Sequence, residues 1–191
     1  MKPPILPKDE ENRLTALRGL GLLDTEPEER FDRITRIASS VFDVPIAIVS
    51  LVDRDRQWFK SRHGIDATET PREISFCGHA ILGNSLFVVE DATKDDRFHD
   101  NPMVTGPPGI RFYAGCPVMT PNGHRVGTLC LNDVKPREFD AAQAQLLRDM
   151  AAMVERELAA FDHATLDPLT GLTNRFGFEM LADHSLCDAR R

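Results

Sequence analysis

The chain of 191 residues contains 30 acidic and 23 basic residues, which gives it a net charge of −7, and 41% of its residues are hydrophobic. This length allows one domain with extensions or one domain plus a fragment, and it excludes two full-sized domains. The negative charge disfavours non-specific binding to nucleic acid or to an anionic membrane, so neither partner is expected.

The cysteines and the apolar runs indicate where the protein resides. The four cysteines are too few and too scattered for a disulfide scaffold, so reduced thiols are expected. The N-terminus lacks the apolar segment of a signal peptide. The longest apolar run, residues 44–52, is much shorter than the roughly 20 residues that a transmembrane helix needs. We therefore expect a soluble, cytoplasmic protein.

The first 42 residues predict a lead-in and two helices. Residues 1–8 contain three prolines and predict a disordered or extended segment. From Asp9 the apolar spacing predicts a short amphipathic helix. Thr25 and Glu28 resemble a capping box that opens a second helix over residues 27–42.

The apolar period then changes to that of strands. Residues 44–52 are apolar at all alternating positions, as expected of a strand covered on both faces. A hairpin turn at Pro121-Asn122-Gly123 predicts that the strands on either side of it are antiparallel neighbours. Pro117 predicts a sheet edge or a bulge in the first of these two strands. The further predicted strands cover residues 56–62, 86–90, 111–119 and 125–131.

Two more helices complete the pattern. A short helix is predicted over residues 75–82, and a long polar loop over 94–109. Asp140 and Gln143 form a second capping box, which opens a helix that can extend to about residue 164. Its heptad-like stripe predicts helix pairing or, alternatively, a cover for the sheet; the stripe consists of Leu147, Met150, Val154 and Phe161. The element order predicts an α+β fold with an antiparallel sheet.

Five short blocks stand in the order typical of one family; they are Arg56–Ser61, Glu69–Arg72, Ser75–Ile81, Arg111–Gly115 and Gly127–Cys130. Through these blocks the chain resembles a GAF domain from about residue 11 to 160. The resemblance implies a six-stranded antiparallel sheet flanked by helices, with a small-molecule pocket on one face and dimerising helices on the other. We therefore expect residues 9–165 to form a GAF sensory domain that includes its flanking helices.

A second resemblance is confined to the C-terminal segment. The segment Asp167–Arg175, followed by Phe178 and Leu181, is similar to the opening of a GGDEF domain. Such domains are the output of diguanylate cyclases, which condense two GTP molecules into cyclic di-GMP. The family's metal-binding aspartates and its Gly-Gly-Asp/Glu-Glu-Phe sequence do not occur in the chain. We therefore expect residues 166–191 to be a truncated start of that domain, without cyclase activity.

The predicted short helix contains the most reactive candidate side chain. Ser75 is a suitable N-cap, which places Cys77 in the first turn, where the helix dipole lowers a thiol pKa. Cys77 is then either a redox-active or ligand-linked thiol, or a small buried hydrophobe. The candidate pocket residues, most of which could equally be core, are Trp58, Phe76, Cys77, His79, Arg97, Phe98, Arg111, Tyr113 and Cys116.

Other chemistries known in this family are less well supported. The free methionine sulfoxide reductases require a resolving cysteine in the loop before the 111–119 strand, and residues 94–109 contain none. A metal site built from Cys77, His79 and His63 lacks a fourth ligand, and positions i and i+2 do not share a helix face. The cysteine pattern of bilin-binding domains and the signature of cyclic-nucleotide-binding domains are not reproduced. No cofactor is assigned, and no metal is expected.

These observations predict a regulatory GAF module of a diguanylate cyclase. It would bind a small molecule, form a homodimer through its terminal helices and signal along the helix at 140–164. The alternative from another class is a ligand-free structural dimerisation module. A third and less favoured alternative is a Cys77-dependent enzyme that resembles the methionine sulfoxide reductases.

Overall fold

The computed structural model describes the backbone of residues 1–165 and the side chains of residues 1–160. One antiparallel sheet of six strands, in the order β3-β2-β1-β6-β5-β4, forms its centre. The strands are β1 (Ile46–Val52), β2 (Arg56–His63), β3 (Glu69–Pro71), β4 (Phe87–Val89), β5 (Phe112–Met119) and β6 (Arg125–Asp133). The segment Asp167–Arg175, Cys187 and the side chain of Phe161 lie outside the described residues.

Helices cover both faces of the sheet. Their bounds are α1 (Glu10–Gly19), α2 (Glu29–Phe42), α3 (Phe76–Ala80), α4 (Pro102–Thr105) and α5 (Ala141–Thr165), with a 3-10 helix at Arg72–Ile74. Helices α1, α2 and α5 enclose one hydrophobic core, and α3 and α4 lie over a second core on the opposite face. The predicted α+β class, with its six-stranded sheet, flanking helices and long C-terminal helix, is confirmed.

Strand β1 is buried along its whole length, as its sequence predicts. Because successive side chains of a strand point to opposite faces, its alternate residues belong to different cores. Ala47 and Val49 lie in the core under α1, α2 and α5, whereas Ile46 and Ile48 lie in the core under α3.

Two short elements have no counterpart among the elements predicted from the residue pattern. Strand β3 has three residues and pairs with β2, where Thr70 is the register partner of Gln57. Helix α4 has four residues and is capped by Asn101, whose side chain accepts a hydrogen bond from the Met103 amide at 2.9 Å. Neither element is long enough to show an apolar period, which is why the pattern does not reveal them.

The predicted hairpin is confirmed, since β5 and β6 are antiparallel neighbours. Strand β5 has neighbours on both sides only up to Gly115, where its pairing with Phe87 of β4 ends. Pro117 lies beyond that point and next to an irregularity in register at Val118 and Met119. The missing amide hydrogen of Pro117 therefore falls where β5 is itself the sheet edge.

Of the two predicted capping boxes, the one at α5 is confirmed. The Gln143 amide donates to Asp140 Oδ1 at 2.8 Å, and the Asp140 amide donates to Gln143 Oε1 at 3.1 Å. The two side chains thus satisfy backbone donors at both positions, as this motif requires.

The capping box at Thr25 is wrong. The N-cap of α2 is Glu28, and its side chain makes no capping hydrogen bond. Thr25 Oγ1 instead donates to the Leu22 carbonyl at 2.8 Å and accepts from Lys60 Nζ at 2.6 Å. The local sequence predicts that the Thr25 hydroxyl oxygen caps α2. In the structure this oxygen instead accepts a hydrogen bond from the buried Lys60 of β2.

The stripe of α5 covers the sheet over the described part of the helix. Leu147, Met150 and Val154 are buried in the core of their own domain. For these three residues the alternative of a cover for the sheet is therefore confirmed, and the pairing of this helix with another one stays a prediction. Leu146 and Met153 lie on the exposed side of the same helix.

The segment predicted as a disordered or extended lead-in, residues 1–8, is extended and contacts the domain. The Lys2 amide donates to the Arg97 carbonyl at 3.1 Å, and Pro4 lies against Gly78 of α3. Within residues 1–165, no helix combines the length and the apolar character needed to cross a membrane.

Candidate functional site

A cavity of about 280 Å³ lies on the face of the sheet opposite α5. Strands β1, β2 and β6 form its floor, and α3, the 3-10 helix and the segment at 102–110 form its walls. It is lined by Ile46, Ile48, Gln57, Phe59, Ile65, Ala67, Thr70, Ile74, Phe76, Cys77, Pro102, Met103, Pro107, Pro108, Ile110, Tyr113, Cys130 and Asn132.

The lining is mainly apolar and has no acidic or basic side chain among the described residues. Among the described residues, none that lines the cavity is an Asp, Glu, His, Lys or Arg. A small number of polar side chains interrupt the apolar wall: Gln57, Thr70, Asn132, Tyr113 and the thiols of Cys77 and Cys130. An apolar cleft with a few placed polar groups is the usual construction of a small-molecule site.

The predicted cap of the short helix is confirmed and positions Cys77. Ser75 Oγ accepts a hydrogen bond from the Gly78 amide at 2.9 Å. Cys77 Sγ is buried, 3.3 Å from the Tyr113 hydroxyl and 3.2 Å from the Thr128 hydroxyl, both of which donate to it. It is therefore buried, as the second interpretation predicts, and it also accepts two hydrogen bonds, whereas its redox or ligand-linked reactivity stays a prediction.

A second thiol lies beside the first. Cys77 Sγ and Cys130 Sγ are 3.7 Å apart, and both belong to free cysteines. Burial alone would raise the pKa of Cys77, but hydrogen bonds from Cys130, Thr128 and Tyr113 outweigh it and lower this pKa to about 7. The hydrogen bond with Cys77 and burial both raise the pKa of Cys130.

An aromatic stack supports the cavity wall. The Phe76 ring stacks on Tyr113 at a centroid distance of 5.1 Å and on Phe98 at 4.0 Å. Phe76 and Tyr113 line the cavity, whereas Phe98 lies behind them and is fully buried. Of the predicted pocket residues, Phe76, Cys77 and Tyr113 thus meet at the cavity.

His79 and Arg97 lie outside the cavity, over the outer side of the aromatic stack. His79 Nε2 lies 3.0 Å from the Lys2 carbonyl, and burial lowers the pKa of its imidazole. Arg97 is paired with Asp95 at 2.5 Å, and its guanidinium lies over the Phe87 ring. The His79 side chain contacts the N-terminal segment and the Arg97 side chain covers Phe87. Neither residue belongs to the cavity lining.

Arg111 shapes the cavity without lining it. Its Nη1 donates to the carbonyls of Val104 at 2.8 Å and Gly109 at 3.1 Å, which holds the segment that forms one wall. Trp58 and Cys116 lie in the core on the opposite face of the sheet. Burial, together with a smaller effect of Glu155, raises the pKa of Cys116 to about 11.

The pattern of β2 could have corrected the choice of Trp58. Because strand residues alternate between faces, Gln57 and Phe59 must point away from the face that Trp58 occupies. The structure places Gln57 and Phe59 in the cavity lining, together with Thr70 from β3. No signal in the sequence identifies Thr70, since its strand is too short to show alternation.

A metal site has no support from the side-chain arrangement. Among the described residues, no three side chains of the His, Cys, Asp and Glu types are grouped closely enough to hold a metal ion. Cys77 faces the cavity, whereas His79 contacts the N-terminal segment.

The fold, the cavity and a family comparison agree on the class of protein. The family model of the GAF domain matches residues 26–158, which is more than half of the chain. The chain therefore belongs to the GAF domain family.

A curated relative resembles the chain in sequence, and solved structures resemble it in fold. It is 43% identical over 180 residues to the cyclic di-GMP phosphodiesterase PA2567 of Pseudomonas aeruginosa, covering 92% of this chain and 30% of that relative. The chain thus spans less than a third of the length of this curated relative.

Two solved structures show the same fold at low identity. The free methionine-R-sulfoxide reductase of Neisseria meningitidis has a TM-score of 0.60 and 18% identity, covering 86% of this chain and 99% of the other. The GAF domain of an Acinetobacter phosphoenolpyruvate-protein phosphotransferase has a TM-score of 0.57 and 18% identity, covering 80% of this chain and 96% of the other.

Proposed function

We propose that this chain is the small-molecule-responsive regulatory domain of a protein that metabolises cyclic di-GMP. The observation that carries the proposal is the apolar cavity of about 280 Å³ on the α3 side of the sheet. A cavity of this size with a few polar groups fits a small organic ligand better than it fits a packed structural core. This favours sensing over a ligand-free structural module.

The uncharged lining defines the charge of the ligand. An ionised group moved from water into an apolar site loses its hydration, and only a paired charge compensates for that loss. No Lys, Arg or His among the described residues lines the cavity, and the Cys77 thiol can only become negative, so a phosphate or carboxylate finds no partner there. The ligand is therefore uncharged, which disfavours nucleotides and free amino acids.

The same reasoning disfavours the reductase-like alternative. Free methionine sulfoxide carries an ammonium and a carboxylate group, and the described lining neutralises neither. Cys116, the cysteine in the strand after the 94–109 loop, lies on the other face of the sheet from Cys77. It cannot act as the resolving thiol for Cys77 without passing through the sheet.

Closing the mouth of the cavity tests the proposal. Ala67 lines the cavity but is exposed, so Ala67→Trp places an indole side chain over the opening without replacing a buried residue. Its neighbour Asp66 is exposed and outside the lining, so Asp66→Trp is the matched control. The probe is a panel of uncharged compounds (indole, phenol and cyclohexanol), with binding measured by thermal unfolding and native mass spectrometry.

We expect at least one of these compounds to raise the melting temperature of the wild type and of Asp66→Trp, but not of Ala67→Trp. Equal shifts in all three proteins would mean that the compounds bind elsewhere. The proposal fails in that case, and also if no compound binds and the purified protein retains no ligand.

The proposal also covers the enzymatic activity that this domain regulates. The relative from Pseudomonas aeruginosa is named as a phosphodiesterase, which favours cyclic di-GMP hydrolysis. The segment Asp167–Arg175, which lies outside the described residues, is the support for a GGDEF segment after this domain. The expectation of a cyclase is therefore replaced by a broader proposal, an enzyme that either synthesises or hydrolyses cyclic di-GMP. Assays of hydrolysis and of synthesis from GTP on the full-length gene product distinguish the two activities.

We also propose that the protein forms a homodimer and that it resides in the cytoplasm. Ile37 and Val41 of α2 and Leu146 and Met153 of α5 are large apolar side chains left exposed on the helical face. We propose a second copy of this chain as the partner, since the same apolar patch on both copies is self-complementary about a two-fold axis. The free thiols among the described cysteines support a reducing compartment.

Charge substitution in that patch tests the dimer. Ile37→Asp and Met153→Asp should convert a dimer into a monomer in sedimentation velocity, because each buries a carboxylate at the proposed interface. Asn122 is exposed in the turn between β5 and β6, outside this patch, so Asn122→Asp introduces the same charge as a control and should leave the dimer intact. A wild-type protein that is monomeric at high concentration contradicts the proposal.

A further inference from the structure

Two polar atoms in the cavity wall are buried without a hydrogen-bond partner. Gln57 is 5% exposed, and neither its Oε1 nor Thr70 Oγ1 has a partner in the protein. The two residues are register partners on β2 and β3, so their side chains lie side by side on the same face. Both line the cavity.

Such atoms are uncommon because a buried acceptor that gains no hydrogen bond loses its hydration without compensation. The nearby polar groups of the lining contrast with them. The Tyr113 hydroxyl donates to Cys77, and the Asn132 amide donates to Cys130 Sγ at 3.9 Å. Of the four such atoms among the described residues, the two that belong to the cavity lining thus lie on its β2–β3 side, where they are available to a ligand.

We propose that Gln57 and Thr70 form a polar subsite for an uncharged, flat aromatic ligand that donates an N–H or O–H hydrogen bond. This inference rests on the proposed function of the cavity. The carboxamide oxygen of Gln57 accepts from the ligand, and the Thr70 hydroxyl, which can donate and accept, pairs with an adjacent polar atom of it.

The rest of the lining specifies the flat aromatic part. Phe59, Phe76 and Tyr113 supply aromatic rings, against which a planar ligand stacks or packs edge to face. The volume of about 280 Å³ admits one or two fused rings and little more. The absence of a charged group in the described lining excludes carboxylated forms of the same ring systems.

Three probes of nearly the same shape test the subsite: indole, indene and 1-benzothiophene. Only indole carries an N–H donor, so a difference in affinity reports the hydrogen bond and not the shape. We expect indole to bind the wild type about tenfold more tightly than either analogue, in line with one net hydrogen bond to a buried acceptor. Isothermal titration calorimetry gives the three dissociation constants.

Two variants assign the effect to these side chains. Gln57→Leu should reduce the preference for indole to less than about threefold, and it should raise the melting temperature of the ligand-free protein, because it removes an unpaired buried amide oxygen. Thr70→Val should leave the preference of about tenfold in place while weakening ligands with a second polar atom beside the donor, such as 2-oxindole. If Gln57 had a purely structural role, Gln57→Leu would lower the melting temperature of the ligand-free protein instead of raising it.

The outcomes separate the subsite from the function of the cavity. Equal affinity for the three probes, or a preference for indole that survives Gln57→Leu, overturns the subsite and leaves the small-molecule function standing. A lower melting temperature of ligand-free Gln57→Leu also overturns it, because Gln57 would then hold the fold together. If none of the probes nor any compound of the uncharged panel binds, the proposed function fails as well.

Discussion

At the scale of single residues, a buried ion cluster connects α1 to the segment before α3. Glu10 pairs with Arg13 at 2.8 Å and with Arg72 at 2.5 Å, and Arg13 Nη1 also donates to the Val52 carbonyl at 2.6 Å. Burial alone would raise the pKa of Glu10, but the hydrogen bonds from the two arginines outweigh it and lower the pKa to about 2. The cluster thus attaches the N-terminal helix to the edge of the cavity wall.

This cluster predicts a loss of stability in acid. The pKa of Glu10 is about 2 in the folded protein against an ordinary 4.5, so its contribution is complete above pH 4.5 and is lost as the pH falls towards 2. A shift of this size corresponds to about 3 kcal/mol. Glu10→Gln should remove that pH dependence and destabilise the protein at neutral pH, since Arg13 and Arg72 remain buried without their carboxylate. Urea unfolding between pH 2.5 and 7 measures both effects.

The neighbouring residue Glu11 provides the control for this prediction. Its carboxylate pairs with Arg54 at 2.9 Å, and both side chains are exposed to solvent. Water and salt screen such a pair, so Glu11→Gln should change stability little at any pH. An acid-dependent loss in Glu10→Gln as large as that of the wild type would show that other carboxylates cause it.

At the scale of elements, α5 is joined to the sheet by packing and by a side-chain hydrogen bond from the middle of the helix. Glu155 Oε1 accepts a hydrogen bond from the Met119 amide at 2.8 Å, which ties the helix to the last residue of β5. Leu147 is completely buried against the sheet, whereas its neighbour Leu146 is 39% exposed. Two adjacent leucines of one helix therefore have different environments.

The pair of leucines tests which side of α5 belongs to the core. Leu147→Ala should lower the free energy of unfolding by about 2–5 kcal/mol, because it leaves a cavity in a packed core. Leu146→Ala should cost less than about 1 kcal/mol in the monomer and weaken the dimer instead. Chemical denaturation together with sedimentation separates the two effects. Equal losses of stability in both variants would contradict the assignment of faces.

At the scale of the whole molecule, one sheet separates the cavity from the proposed dimer surface. Strand β6 takes part in both, because Cys130 lines the cavity while Leu129 and Leu131 pack under the helices. A ligand that displaces β6 therefore also moves the core beneath α5. A signal passes only if the ligand binds two dimer arrangements with different affinity.

Thermodynamic linkage makes this coupling measurable. If indole tightens the dimer by a given factor, dimerisation must tighten indole binding by the same factor. The Met153→Asp monomer should then bind indole more weakly than the dimer does, although Met153 lies on the helical face and outside the cavity lining. Calorimetry on the monomer and sedimentation with and without indole give the two factors. If indole leaves the dimer dissociation constant unchanged, the signal does not pass through dimerisation.

The sequence by itself determined the α+β class, the main helices and strands, the β5–β6 hairpin and the cap at Asp140. Each of these depends on interactions between residues close in the chain, such as the period of apolar residues or a hydrogen bond three residues away. Five residue blocks also identified the family. The same kind of local pattern gave a wrong prediction at Thr25, because its hydroxyl oxygen accepts a hydrogen bond from Lys60 on a distant strand.

Only the tertiary structure decided which side chains form the cavity. Three of the nine predicted pocket residues, Phe76, Cys77 and Tyr113, line it, and Gln57 and Thr70 emerge from the pairing of β2 with β3. The physical reason is that the face to which a strand residue points depends on the register of the sheet, and the packed partners come from distant segments. A chain with a net charge of −7 consequently contains a cavity without acidic or basic side chains in its described lining, which the overall composition does not reveal.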